Sequence, residues 1–192
     1  MRIIIDAMSG DKAPEEIVKG AVMARRELGM DVTLVGKKEV VESILAGEGC
    51  TDIEVVDARD VITMEDDPST ATRRKKEASV TVALNLLRDG KGDALVSAGS
   101  TGALLTGATL IVKRINGIRR AALSPVLPNG GAGTLLMDSG ANVECTAEYL
   151  LQFAYIGNFY ARHALHLERP RVALLNIGAE EEKGDALRHE TY

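Results

Sequence analysis

The chain has 192 residues, 45% of them hydrophobic and 27% charged, with a net charge of −5, the balance of an ordinary globular domain long enough to bury a core. With no global basic field and only two Phe, four Tyr and no Trp, it lacks both the charge and the stacking platforms that nucleic-acid binding requires. No apolar run approaches the roughly 18 residues needed to span a bilayer. Cys50 and Cys145 lie far apart without ligand spacing, as free thiols of a reducing, cytoplasmic compartment do.

In chain order, Arg2-Ile3-Ile4-Ile5-Asp6 reads as a strand cut short by a charge, not as a leader. A polar loop through Ser9, Gly10, Asp11 and Lys12 ends at Pro14, a residue suited to the first turn of a helix. Glu15 and Glu16 then sit where the helix dipole favours them, and Ile17, Val18, Ala21, Val22 and Leu28 recur at helical spacing. A strand at Val32 to Val35, a helix at Glu39 to Ala46 and a strand at Ile53 to Val56 complete a β-α-β-α-β pattern. That pattern predicts an α/β fold with a mostly parallel sheet.

Residues 57–69 form an acidic loop, followed by the abrupt basic run Arg73-Arg74-Lys75-Lys76 and a helix marked by Val80, Ala83, Leu84 and Leu87. Ala94 to Ser97 then reads as a buried strand, Gly99-Ser100-Thr101-Gly102 as a turn, and 103–114 as a helix. Ala121 to Leu127 and Thr134 to Asp138 are expected strands of a hairpin through Pro128-Asn129-Gly130-Gly131. A long helix is expected from Ala147 to His166, a strand from Arg171 to Leu175, and a helix opened by Glu180-Glu181-Glu182-Lys183-Gly184-Asp185. The whole, residues 1–192, reads as one domain without internal repeats.

The turn at Ser97 to Gly102 carries the clearest chemistry. Strand, small-residue turn and helix start aim free backbone N–H groups at an anion, with the Ser100 and Thr101 hydroxyls as further donors. Gly99 and Gly102 allow close backbone approach. The turn therefore reads as a phosphate site, against the plainer alternative of a capped strand-to-helix connection. Polar turns also follow the expected strands at Asp6 to Asp11, Asp138 to Asn142 and Asn176 to Gly178. If all four strands are parallel, the turns share one edge and line one cleft.

Other chemistries find less support. Gly131-Ala132-Gly133 lacks the third glycine of a dinucleotide fingerprint, Lys183 has no Walker glycines before it, and no Gly-x-Ser-x-Gly elbow occurs. No nucleotide cofactor is expected. Asp6 and Asp11 read as a base pair or a metal pair, with helix-terminal stabilisation as the alternative for Asp11. His163 and His166 share a helix face without a carboxylate to complete a metal site, and nothing near Cys145 favours its thiolate. Arg73 to Lys76 are either a solvated face or a basic patch for an acidic partner or phosphate.

These motifs, taken together, resemble the bacterial phosphate acyltransferases of phospholipid synthesis, the PlsX family. The resemblance rests on Ile5-Asp6-Ala7-Met8-Ser9-Gly10-Asp11-Lys12-Ala13-Pro14, the basic run 73–76, Ser97 to Leu104 and Pro125-Val126-Leu127-Pro128. It continues through Gly140-Ala141-Asn142, Leu150 to Ala154, Leu174-Leu175-Asn176-Ile177-Gly178 and Lys183-Gly184. The motifs stand in family order along the whole chain. Departures are Ser9 for a usual glycine, Lys12 for a histidine, and Ser100 and Asp185 for asparagines. Family members also continue well past Tyr192, so the chain is expected to hold the N-terminal part of the fold.

The resemblance implies a Rossmann-like three-layer fold of the phosphotransacetylase and isopropylmalate-dehydrogenase kind. It implies acyl transfer from acyl carrier protein to inorganic phosphate, without metal or cofactor, in a homodimer. The product would pass to a membrane glycerol-3-phosphate acyltransferase, which allows a location at the inner membrane face besides the open cytoplasm. On this reading Ser97, Gly99, Ser100, Thr101 and Gly102 hold phosphate, with Arg73, Arg74, Lys75 and Lys76 meeting phosphate or carrier protein. Asn142, Asn176 and Lys183 orient the acyl carbonyl or neutralise charge, and Asp6 and Asp11 anchor loops or position a proton. The alternatives are a phosphotransacetylase-type enzyme using acyl-coenzyme A, and a non-catalytic binder of acyl carrier protein.

Overall fold

The computed structural model describes residues 1–178, 180 and 182–192. The chain falls into two compact units, Met1–Lys113 and Arg114–Tyr192. The first contains β1 (Arg2–Asp6), α1 (Glu15–Leu28), β2 (Asp31–Gly36), α2 (Lys38–Gly47), β3 (Glu54–Asp57), the short α3 (Ala71–Arg74), α4 (Ser79–Arg88), β4 (Ala94–Val96) and α5 (Thr101–Gly107). The α5 helix continues as a π-helical segment, Ala108–Val112.

The four strands form one parallel sheet in the order β3-β2-β1-β4. Alternation along the strands supplies both of its faces. Ile3 and Ile5 of β1 and Val32 and Leu34 of β2 pack with Val18, Ala21, Val22, Val41 and Leu45 of α1 and α2. Ile4 and Val35 turn the other way, onto Ala83 of α4. A second cluster behind α4 joins Val80 and Leu84 to Ala103, with Ala108 and Ile111 packed against it. Each fully buried branched side chain here contributes roughly 1.5–3 kcal/mol. The result is a three-layer arrangement, as the β-α-β-α-β reading of the sequence predicts.

The second unit contains the hairpin β5 (Val126–Leu127) and β6 (Thr134–Leu135), then α6 (Ala147–His163) and α7 (Ala186–Thr191). Thr146 caps α6 and Asp185 caps α7 through their side-chain oxygens. Several expectations are corrected here. The hairpin strands shrink to two residues each; beyond them the arms stay joined by the Leu136 N–H to the Pro125 carbonyl and the Ser139 N–H to the Leu123 carbonyl, while the Asp138 carboxylate takes the Leu123 N–H at 2.7 Å. Residues 171–175 form no strand: none of the described residues pairs with them, and Val172 and Leu175 are exposed. The long helix ends three residues early, at His163, and the last helix begins only at Ala186. Glu181 of the acidic run lies outside the described residues.

Candidate functional site

The register of β1 against β4 pairs Ile3 with Ala94, Ile4 with Leu95 and Ile5 with Val96. The next residues along, Asp6 and Ser97, therefore emerge side by side at the C-terminal edge of a parallel sheet, the edge where such folds bind ligands. Asp6 is fully buried. One of its oxygens accepts the Ser97 hydroxyl at 2.8 Å and the other accepts the Met8 N–H at 3.3 Å. Ser97 Oγ in turn accepts the Gly99 N–H at 3.3 Å. The carboxylate thus ties the 7–14 loop to the central turn, with both of its oxygens engaged in that bracing.

The two loops also interlock sterically. A Cβ at Gly99 would lie 2.6 Å from Ser9 Cβ and 3.0 Å from Ser9 Oγ, closer than any side chain tolerates. Gly10, at φ +120°, sits with its own Cβ direction 3.1 Å from Ala98 Cβ. Both glycines are needed for this approach.

Beyond Gly99 the helix begins. Ser100 Oγ accepts the Ala103 N–H at 3.4 Å and the Ser100 carbonyl accepts the Leu104 N–H at 2.9 Å. The N–H groups of Ser100, Thr101 and Gly102 have no backbone acceptor among the described residues, as expected for a first helical turn. Ser100 thus fills the plain capping role while keeping its O–H as a donor, and Thr101 is exposed beside it. The turn can present three amides and two hydroxyls to a tetrahedral anion.

The segment that leads into the basic run packs on the α5 helix. Pro68 packs on Gly102, and Thr72 of α3 packs on Gly107. Arg73, Arg74 and Lys76 are exposed. Lys75 points inward, donating to the Val61 carbonyl and to Asp66 Oδ2, each at 2.8 Å, with Asp60 Oδ1 at 3.9 Å. The Lys75 hydrogen bond is the first cause holding the Asp66 carboxyl below its usual range. Three of the four cations, not four, face solvent. Asp11 is exposed on the neighbouring loop.

Asn142, Asn176 and Lys183 belong to the second unit. The Asn142 amide donates to the Ala121 carbonyl at 2.9 Å and to Asp138 Oδ2 at 3.1 Å, so only its oxygen is left for a ligand. Asp138 also receives the N–H groups of Leu123, Ala141 and Asn142. Burial pushes its carboxyl up, but these donors outweigh burial and the net shift is downward. The Asn176 amide donates to the Lys183 carbonyl at 2.9 Å, and its oxygen accepts the Ile177 N–H. Asn176 and Lys183 are thereby brought together through backbone.

Of the four polar turns read from the sequence, only the first two follow parallel strands, and they touch. The other two follow an antiparallel strand and an unpaired segment. Pro68 and Thr72 have no sequence signal of their own, and the Ser9 contact was foreshadowed only by a glycine facing it in the adjacent turn. Among the described residues, no group of three or more His, Cys, Asp or Glu side chains is placed to hold a metal. His163 stacks on Phe159 at 4.2 Å between centroids. Burial raises the pKa of the Cys145 thiol, with Asp138 adding to the shift, which disfavours the thiolate. No helix among the described residues is long and apolar enough to cross a membrane.

The whole chain, residues 1–192, matches the family described as "Fatty acid synthesis protein". It is 45% identical over 194 residues to a phosphate acyltransferase of Clostridium kluyveri, covering 100% of this chain and 58% of that protein. Similar relatives are the phosphate acyltransferases of Clostridium acetobutylicum, 47% identical with 100% and 59% covered, and of Heliobacterium modesticaldum, 48% identical with 97% and 57% covered. The chain thus spans a little over half the length of these curated relatives. In fold it is similar to a phosphotransacetylase from Streptococcus pyogenes, with a TM-score of 0.71 at 18% identity over 99% of this chain and 61% of that one. It is likewise similar to the EutD phosphotransacetylase from Staphylococcus aureus, with a TM-score of 0.69 at 17% identity over 100% and 62%.

Proposed function

Because the chain belongs to the family of fatty acid synthesis proteins, we propose that it serves acyl transfer, moving an acyl group from the thioester of acyl carrier protein to inorganic phosphate. The observation that carries this reading is the Ser97–Gly102 turn, set at the C-terminal sheet edge and braced from below by the buried Asp6 carboxylate. The relatives named phosphate acyltransferase support it.

In the proposed step a phosphate oxygen attacks the thioester carbonyl, the tetrahedral oxyanion collapses with cleavage of the C–S bond, and the carrier thiolate leaves and takes up a proton. Phosphate is already anionic near neutral pH, so the site needs positioning and charge stabilisation more than a strong base. Ser100, Thr101 and the amides of residues 100–102 hold the phosphate, with Gly99 and Gly102 giving it room. Asp6 and Ser97 hold the turn in place and do not touch the substrate. Arg73, Arg74 and Lys76 attract the acidic carrier protein or its phosphate, while Lys75 fixes the loop that presents them. Asp11, exposed on the 7–14 loop, is left to position a proton or that loop. Asn142 contributes an acceptor oxygen only, and Asn176 and Lys183 act as a pair on the acyl carbonyl or the leaving group.

The same reading includes a homodimer. On α6, Leu151, Tyr155 and Phe159 form an exposed apolar stripe, with Glu148 and Arg162 one heptad to either side of Tyr155. Two copies of this helix packed antiparallel about Tyr155 would set Glu148 opposite Arg162 of the second copy. The acyl phosphate would then be consumed by a membrane-bound acyltransferase acting on glycerol 3-phosphate, which places the protein in the cytoplasm near the inner membrane face.

The structural neighbours are phosphotransacetylases, which favours acyl-coenzyme A as the second donor to weigh. The test offers the chain both thioesters in turn with inorganic phosphate and traps acyl phosphate as hydroxamate. Product from the carrier-protein thioester, saturating in phosphate, is expected. Product from the coenzyme A thioester alone would move the protein to the phosphotransacetylase class, and binding of carrier protein without product would make it a binder.

A further inference from the structure

We propose that Ser9 is a phosphate-binding residue of this site, adding a third hydroxyl to the Ser100 and Thr101 pair. This rests on the reading that the Ser97–Gly102 turn holds phosphate. Ser9 is 4% exposed, and its hydroxyl has no hydrogen-bond partner among the described residues. Its oxygen is not among the fully enclosed, unpartnered side-chain atoms, so within this nearly buried residue the hydroxyl keeps an opening through which a ligand at the turn can accept from it. The nearby Asp6 carboxylate bonds to Ser97 and Met8, with no bond to Ser9 among the described residues. Ser97 Oγ is occupied in both directions, donating to Asp6 and accepting from Gly99.

Access distinguishes Ser9 from the enclosed, unpartnered hydroxyls of the fold. Thr72, Ser79 and Thr81 belong to helices α3 and α4 and are surrounded by their packing. Ser9 stands in the loop after β1, and its Oγ lies 3.0 Å from the point a Gly99 Cβ would occupy. It is therefore in contact with the backbone that leads into the free amides of residues 100–102. A tetrahedral anion has four oxygens to satisfy, and a neutral hydroxyl on the β1 side supplies a donor without adding charge to a turn that relies on backbone dipoles.

The deciding experiment is calorimetric titration of inorganic phosphate into the 192-residue chain, into Ser9→Ala, Ser9→Gly and the double variant Ser100→Ala/Thr101→Val. Both Ser9 variants should bind phosphate about tenfold more weakly, because each lacks the hydroxyl. Wild-type affinity in Ser9→Ala with loss only in Ser9→Gly would show that Ser9 merely fills space, and would overturn the proposal while leaving the site intact. If the unmodified chain binds no phosphate, or the double variant binds it as well as the unmodified chain, the phosphate reading of the turn falls and Ser9 falls with it.

Discussion

Ser97 donates its hydroxyl to the buried Asp6 carboxylate at 2.8 Å, joining the ends of two neighbouring parallel strands. Because Asp6 also accepts the Met8 N–H, one carboxylate sets the relative position of the 7–14 loop and the central turn. Replacing Asp6 by Ala leaves buried donors unpaired, and replacing Ser97 by Ala leaves a buried charge short of a donor. Each should cost about 1–3 kcal/mol. A double-mutant cycle read by denaturant unfolding should show coupling of about 1 kcal/mol or more. Additive losses would mean the pair does not act as a unit.

Gly99→Ala should destabilise the first unit by about 1–3 kcal/mol, since its Cβ would meet Ser9 Cβ at 2.6 Å. Adding Ser9→Gly should recover most of that loss. Thermal unfolding of the single and double variants checks it, and a double variant no better than Gly99→Ala would place the strain elsewhere.

The basic run should separate into two behaviours. Reversing Arg73, Arg74 and Lys76 to glutamate should weaken carrier-protein binding and remove most of its salt dependence, with little change in unfolding temperature. Lys75→Met should do the opposite, lowering the unfolding temperature by freeing the Val61 carbonyl and Asp66. Binding titrations at two salt concentrations, beside thermal melts, distinguish them.

Acid should destabilise the protein through the lowered carboxylates. Asp66 is held down first by the Lys75 hydrogen bond, and Asp138 by N–H donors that outweigh its burial. A carboxyl with a depressed folded pKa binds fewer protons folded than unfolded. Its contribution is therefore complete above the ordinary Asp value of about 3.9 and lost as pH falls through the lower folded value. Melting temperatures should fall on acidification below about pH 4, less steeply in Lys75→Met or Asp138→Asn than in the unmodified chain. Lys75, raised first by Asp66, acts at the other end: its contribution is complete below about pH 10.4 and fades above it.

The first unit was legible because its information is local. Strands such as Ile3-Ile4-Ile5 and helices such as 15–28 announce themselves by period, and parallel order follows from their alternation. The Asp6–Ser97 pair is a consequence of register, which needs only the knowledge that β1 and β4 are neighbours. Lys75 reads in the sequence as one of a basic run because its partners, Val61 and Asp66, come from a loop with no pattern of its own. Residues 171–175 have strand composition, but a strand exists only when something pairs with it, and composition does not contain the partner. Asn142 is expected to orient an acyl carbonyl, but its amide is committed to Ala121 and Asp138, partners that its own sequence neighbourhood does not reveal.

The most direct measurement is a phosphate titration of the isotopically labelled chain, following each backbone amide by NMR. The amides of Ser100, Thr101 and Gly102, which lack backbone acceptors in the first turn of α5, should shift most and saturate together, with Gly99 following. Saturable shifts centred on any other segment, or none at these three residues, would contradict the assignment of this turn as the phosphate site.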